Sequence, residues 1–128
     1  MSQFVGYRPD NLSYPASYAY VASPATTPAK QVIKAAAGRL IGLYLNNSGS
    51  GVRSVKFFDE LTANVTLGTT AADFEIDIPA GASVNLKFEG GIPFANGLVI
   101  SETTAKGLSD NTGTGLGANE VTGILVYA

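Results

Sequence analysis

The chain has 128 residues, 45% of them hydrophobic and 14% charged, with a formal net charge of −2. That length suits one domain with a proper core, and that charge leaves no electrostatic footprint for nucleic acid or an anionic membrane surface. Cysteine and histidine are both absent, which removes disulfides, thiolate nucleophiles, the usual ligands of zinc and copper and the usual base of a hydrolytic triad.

The opening residues, MSQFVGYRPD, lack a basic stretch followed by an apolar one, and no apolar run approaches the roughly 20 residues of a membrane span. The expectation is a chain made and kept soluble without export. Residues 1–30 stand apart from the rest, holding Pro9, Pro15, Pro24 and Pro28 together with Phe4, Tyr7, Tyr14, Tyr18 and Tyr20. Each proline fixes φ and removes a backbone donor, so neither a helix nor a central strand is expected there. The segment reads as an extended Pro/Tyr-rich N-terminal arm, with a β domain over residues 31–128. Tails that stay disordered are poor in aromatic residues, whereas this one is rich in them, which points to docking.

From Gln31 onward the pattern is that of strands. A short strand is expected over 32–36, then two runs, 39–46 and 52–59, joined by the turn-forming residues NNSGSG as a hairpin at the middle of a sheet. In the first run Leu40 and Tyr44 fall on one face, with Ile41, Leu43 and Leu45 on the other. A weak strand is expected around 64–67. The runs DFEIDI and SVNLKFE alternate cleanly, with Phe74, Ile76, Ile78, Val84, Leu86 and Phe88 inward, and PAGA between them reads as hairpin punctuation. That hairpin would set Ile78 against Val84, Ile76 against Leu86, Phe74 against Phe88, and Glu75 against Lys87 on the outside. A strand over 98–103, a long glycine-rich loop over 105–119 and a last strand over 120–127 complete the chain. No segment has helical period. The fold class is all-β: a single antiparallel β-sandwich, jelly-roll-like, of about seven or eight strands with an extended N-terminal arm.

Two strands, 40–45 and 121–127, are apolar on both faces, whereas antiparallel sheets normally leave one face to water. Gly42 and Gly123 within them leave places where another backbone or a ring fits closely. The cover expected is the chain's own arm, a neighbour's arm or a partner subunit. The candidate interface residues are therefore Phe4, Tyr7, Tyr14, Tyr18, Tyr20, Leu43, Leu45, Ile124 and Val126.

Chemistry finds little footing. There is no GxSxG elbow, no phosphate-binding glycine loop, and no catalytic, metal or cofactor site is expected. Asp73, Glu75 and Asp77 alternate along one strand and read as a solvated stripe rather than a glycosidase pair. The run DNTGTGLGANE has the leading Asp110 and the glycine of a calcium loop, but Glu120 falls one place short of the position that closes such a site.

Three phrases, GRLIGLYLNN followed by VKFFD, IPAGASVNL, and GGIPFANGL, together with the closing NEVTGILVYA, resemble a group of small β-sandwich virion proteins of tailed bacteriophages, namely capsid decoration or cement proteins and head- or tail-fibre modules. The resemblance covers residues 31–128 and leaves the arm outside. It implies a non-enzymatic structural protein on the capsid surface, assembled in the host cytoplasm, with the major capsid protein or other virion subunits as partners. It also implies a homo-oligomer, a trimer by preference, with no role for nucleic acid or membrane. The alternative reading is a carbohydrate- or receptor-binding module of a head fibre or tail.

Overall fold

The computed structural model describes residues 16–24, 29–108 and 116–128. It contains eight strands, β1 (Ser17–Ala22), β2 (Gln31–Lys34), β3 (Gly38–Asn47), β4 (Arg53–Phe58), β5 (Phe74–Ile78), β6 (Ser83–Phe94), β7 (Leu98–Thr103) and β8 (Val121–Tyr127). They form two four-stranded antiparallel sheets with the orders β1-β8-β3-β6 and β2-β7-β4-β5. First pairs with last, second with seventh, third with sixth and fourth with fifth, so the chain is doubled on itself and rolled up. Leu40, Leu43, Leu45 and Leu125 of one sheet meet Val55, Phe57, Ile78 and Ile100 of the other in a single buried cluster. The fold is thus the all-β, two-sheet sandwich read from the strand pattern.

The expected hairpins are not hairpins. Strand β3 pairs with β6 and β8, while β4 pairs with β5 and β7, so residues 48–52 carry the chain from one sheet to the other. Asn47 holds that crossing. Its buried amide donates to the carbonyls of Gly51 and Ile78 at 2.9 Å each, and its Oδ1 accepts from the Gly49 N–H at 2.8 Å. Likewise β5 lies beside β4 and β6 beside β3, so the expected pairings of Ile78, Ile76 and Phe74 with Val84, Leu86 and Phe88 do not form. Most of those side chains still point into the core, because alternation determines which face a residue occupies and not which strand lies beside it. Glu75 stands opposite Lys56 instead of Lys87, with the ammonium 3.0 Å from its carboxylate.

Two further expectations are corrected. The weak strand at 64–67 is a 3₁₀ turn over Thr62–Asn64 followed by loop, and Val65, Leu67 and Ala72 pack on Phe58 and Val99 of the second sheet. Lys30 pins that loop by donating to the carbonyls of Thr62 and Val65 at 2.9 and 2.7 Å. Residues 17–22, read from the sequence as part of the arm, are instead β1, paired with β8 along its whole length, and Val21 is fully buried. Pro15 and Pro24 bracket a stretch, SYAYVA, with no proline of its own and strong β propensity.

A β-bulge interrupts β3, whose register skips between Leu40 and Gly42 against both neighbours. The extra residue, Ile41, shifts the phase so that Leu40 joins Leu43 and Leu45 in the core. Opposite it on β6 sit Gly90 and Gly91, with φ of 78° and 79°, values that L side chains rarely adopt. Farther along, β8 runs so close to β3 at Gly123 that a Cβ there would collide with the Tyr44 carbonyl oxygen. Gly123→Ala is therefore expected to destabilise the fold by at least about 2 kcal/mol, and Val21→Ala by roughly 2 kcal/mol, each read as a lowered urea midpoint.

Candidate functional site

The two sheets treat their outer faces differently. On β2-β7-β4-β5 the chain covers itself: Val65, Leu67 and Ala72 lie over Phe58 and Val99, and the Lys56 ammonium, fully buried, donates to Glu75 and to the Ala105 carbonyl at 2.8 Å. On β1-β8-β3-β6 the described residues leave the outer face open.

Residues directly opposite in an antiparallel ladder share a face, so the register lays this face out in rows. One row runs Tyr18, Val126, Gly42, Lys87, and the next runs Tyr20, Ile124, Tyr44, Asn85. The third, Ala22, Thr122, Asn46, Ser83, is largely polar. Tyr18 and Tyr20 are 73% and 65% exposed, Tyr44 47% and Ile124 42%, a density of open apolar surface that calls for cover. Because Gly42 has no side chain, a groove of about 410 Å³ opens in the first row, walled by Tyr18, Ile41, Tyr44 and Val126 with Lys87 at its far end. The Tyr44 hydroxyl lies 3.4 Å from Ser83 Oγ, which in turn donates to Asn46 Oδ1 at 2.9 Å, so the ring is tethered to the polar row.

Of the residues named from the sequence, Tyr18, Tyr20, Ile124 and Val126 come together on this face. Leu43 and Leu45 do not: they are 3% and 0% exposed, in the sandwich core, on the face opposite Tyr44, and the bulge at Ile41 brings Leu40 to the same side. Tyr44 and Ile41 hold the outward positions in their place. Phe4, Tyr7 and Tyr14 lie outside the described residues. The missed pair had a signal in Gly42, a glycine inside an apolar strand, which marks a bulge as well as a shallow spot.

The acidic residues are engaged structurally. Asp73 accepts from the Asp59 N–H at 2.6 Å, Glu75 holds Lys56 and the Gly107 N–H, and Asp77 accepts from Ser54 Oγ. Glu75 and Asp77 tie β5 to β4, and Asp73, itself exposed, ties the start of β5 to the end of β4, so the three are engaged rather than a free solvated stripe. Glu120 pairs with Arg53 and accepts from the Gly117 N–H, so it is committed to the loop before β8, while residues 109–115 lie outside the described set. Asp59 holds the turn after β6 by accepting from the N–H groups of Ala95 and Asn96 at about 3 Å. Burial works to raise its pKa, but the backbone donors of Ala95, Asn96 and Gly97 outweigh it and hold the carboxyl below its usual value.

Glu102 is different. It sits on β7 opposite Val55, 2% exposed, with its Oε2 lacking a hydrogen-bond partner among the described residues. Burial pushes its carboxyl up to about 7, only partly offset by its own backbone N–H. No three acidic side chains converge on a possible metal position among the described residues. No family model, curated protein or solved structure matches the chain.

A raised folded-state value means that Glu102 contributes its full stability below the ordinary glutamate value of 4.5 and loses it as pH rises through about 7. Wild-type protein should therefore lose up to about 3 kcal/mol between pH 4.5 and alkaline pH. Glu102→Gln should flatten that part of the profile, read by chemical denaturation across the range.

Proposed function

We propose that this chain is a non-enzymatic structural protein of a tailed-phage virion, a decoration or cement protein that grips the head shell with the outer face of β1-β8-β3-β6. The observation that carries the reading is the asymmetry of the sandwich among the described residues, in which one outer face is packed under the chain's own loops and the other presents Tyr18, Tyr20, Tyr44 and Ile124 without cover from them. Large aromatic side chains contribute the most where two protein surfaces exclude water, and here they form one continuous patch with a polar row along one side. The resemblance of residues 31–128 to small virion sandwiches supports the same assignment, and the two four-stranded antiparallel sheets are compatible with it. On this reading the partner is the major capsid protein or a neighbouring virion subunit, and the chain works as a homo-oligomer on the capsid surface.

A carbohydrate- or receptor-binding module of a head fibre or tail is the second reading. It is favoured by the groove at Gly42, where Tyr18 and Tyr44 stand beside Asn85 and Lys87, a set that offers ring faces and hydrogen-bond donors to a sugar.

Binding of purified protein to emptied phage heads tests the first reading. Replacing Tyr18, Tyr20 and Tyr44 together by alanine should weaken attachment roughly 100-fold, since anchoring aromatics typically cost more than about 1 kcal/mol each. High salt should change it little, because Lys87 is the one charged residue in the three rows. Unaltered attachment of the triple variant would remove the face from the mechanism, and glycan binding by the wild type without head binding would favour the second reading.

A further inference from the structure

Strand β6, 12 residues long, lies at the edge of its sheet, with β3 on one side and no strand among the described residues on the other. Its hydrogen-bond phase is fixed at one end. Asn46 stands opposite Ser83, and one step farther the Asn47 N–H donates to the Ala82 carbonyl at 2.9 Å. Hydrogen-bonded and non-bonded pairs alternate along an antiparallel ladder, so Val84 and Leu86 direct their backbone N–H and C=O groups to β3, while Ser83, Asn85 and Lys87 turn theirs out of the sheet. We infer that a second copy of the chain pairs with this edge, β6 against β6 about a two-fold axis at Leu86, joining two β1-β8-β3-β6 sheets into one sheet of eight strands.

Burial marks the same edge as incomplete. Leu86 stands opposite Leu43 and shares its inward face, yet it is 38% exposed where Leu43 is 3%. Val84 and Phe88 beside it are half-buried, as are Phe74 and Ile76 of β5 in the other sheet. The sequence of the edge is complementary to itself. Hydrogen-bonded pairs between two copies must join residues whose amides point outward, which leaves few registers. With the axis at Leu86, Asn85 faces Lys87, Ser83 faces Glu89, Val84 faces Phe88 and Leu86 faces its own mate, so apolar meets apolar and each charge meets a neutral polar group. An axis at Lys87 would oppose two ammonium groups, and one at Asn85 would shorten the ladder. Past Glu89 the edge is blunted, because Gly90 and Gly91 at positive φ turn the strand and Pro93 follows, whereas 83–89 holds neither device.

The pair carries the outer faces of both sheets on one surface, with two sets of Tyr18, Tyr20 and Tyr44 flanking the joined edges. On the reading proposed above this makes the grip on a shell bivalent, with two-fold symmetry in place of the three-fold symmetry that the resemblance implies. The pairing itself stands whether or not a phage shell is the partner.

The full-length protein without particles tests it. In sedimentation equilibrium the wild type should reach twice the chain mass of 13.2 kDa as concentration rises. Asn85→Pro removes an outward donor without touching the β3 ladder, and should raise the dissociation constant of the pair at least about tenfold. Position 86 faces its mate in a non-hydrogen-bonded pair, where Cα atoms lie about 4.5 Å apart, within reach of a disulfide. The chain has no cysteine of its own, so oxidised Leu86→Cys should form a covalent dimer at least about tenfold faster than Leu61→Cys, a comparably exposed leucine after β4. Thermal melts establish that each variant is folded. A wild type that stays monomeric up to about 1 mM, a dimer that folded Asn85→Pro leaves unchanged, or equal cross-linking at 86 and 61 would overturn the pairing. None of these bears on the head-binding experiment, which reads the tyrosines of the outer face on a particle.

Discussion

Every sheet has two faces, and packing two sheets together disposes of only one face of each. Here the inner faces close on Leu40, Leu43, Leu45, Val55, Phe57 and Ile100, and what remains of the chain must decide the fate of the outer pair. The long connection between β4 and β5 is spent on one of them, laying Val65, Leu67 and Ala72 over Phe58 and Val99. Nothing comparable lies over the other sheet among the described residues. The functional reading follows from this inequality, since apolar surface that a chain leaves open is surface offered to something else.

The bulge in β3 determines what that open face contains. Without the extra residue at Ile41, strict alternation would place Leu40 and Tyr44 together on one side. With it, Leu40 moves into the core and the Ile41 and Tyr44 side chains face outward. Gly90 and Gly91 across the ladder, both at positive φ, let β6 follow the distortion. The same irregularity leaves Gly42 bare in the middle of the face, so one device both completes the core and opens the groove.

Buried polar groups secure the crossings between sheets. Asn47 ties the loop after β3 to the end of β5, and Ser23 ties the end of β1 to the loop before β8, donating to the Gly117 carbonyl at 2.9 Å and accepting from the Glu120 and Val121 N–H groups at 3.0 Å. Such contacts are worth more in the interior than at the surface, because a group left without its partner keeps the whole cost of losing water. Glu102 departs from that pattern, a carboxyl within the sandwich that is more comfortable neutral than charged.

Period-two alternation in 73–78, 83–88 and 121–127 was enough to establish an all-β chain and to say which side chains face inward, because side-chain direction in a strand is local geometry. Ile124 and Val126 were legible as outer-face candidates for the same reason, being apolar on a strand with two apolar faces, whereas Tyr18 and Tyr20 stood out only as aromatics of a proline-rich segment and their place on the same face was not legible. Strand neighbours were not legible. DFEIDI and SVNLKFE look like two arms of one hairpin, yet they lie in different sheets, since a four-residue turn serves a hairpin or a sheet-to-sheet crossing equally well. Nor could alternation alone place Leu40 in the core beside Leu43 and Leu45 or make β1 part of the sandwich. Those outcomes depend on the bulge and on pairing between residues about a hundred positions apart, Ser17 with Tyr127, and only the closed tertiary structure brings such residues within hydrogen-bonding distance.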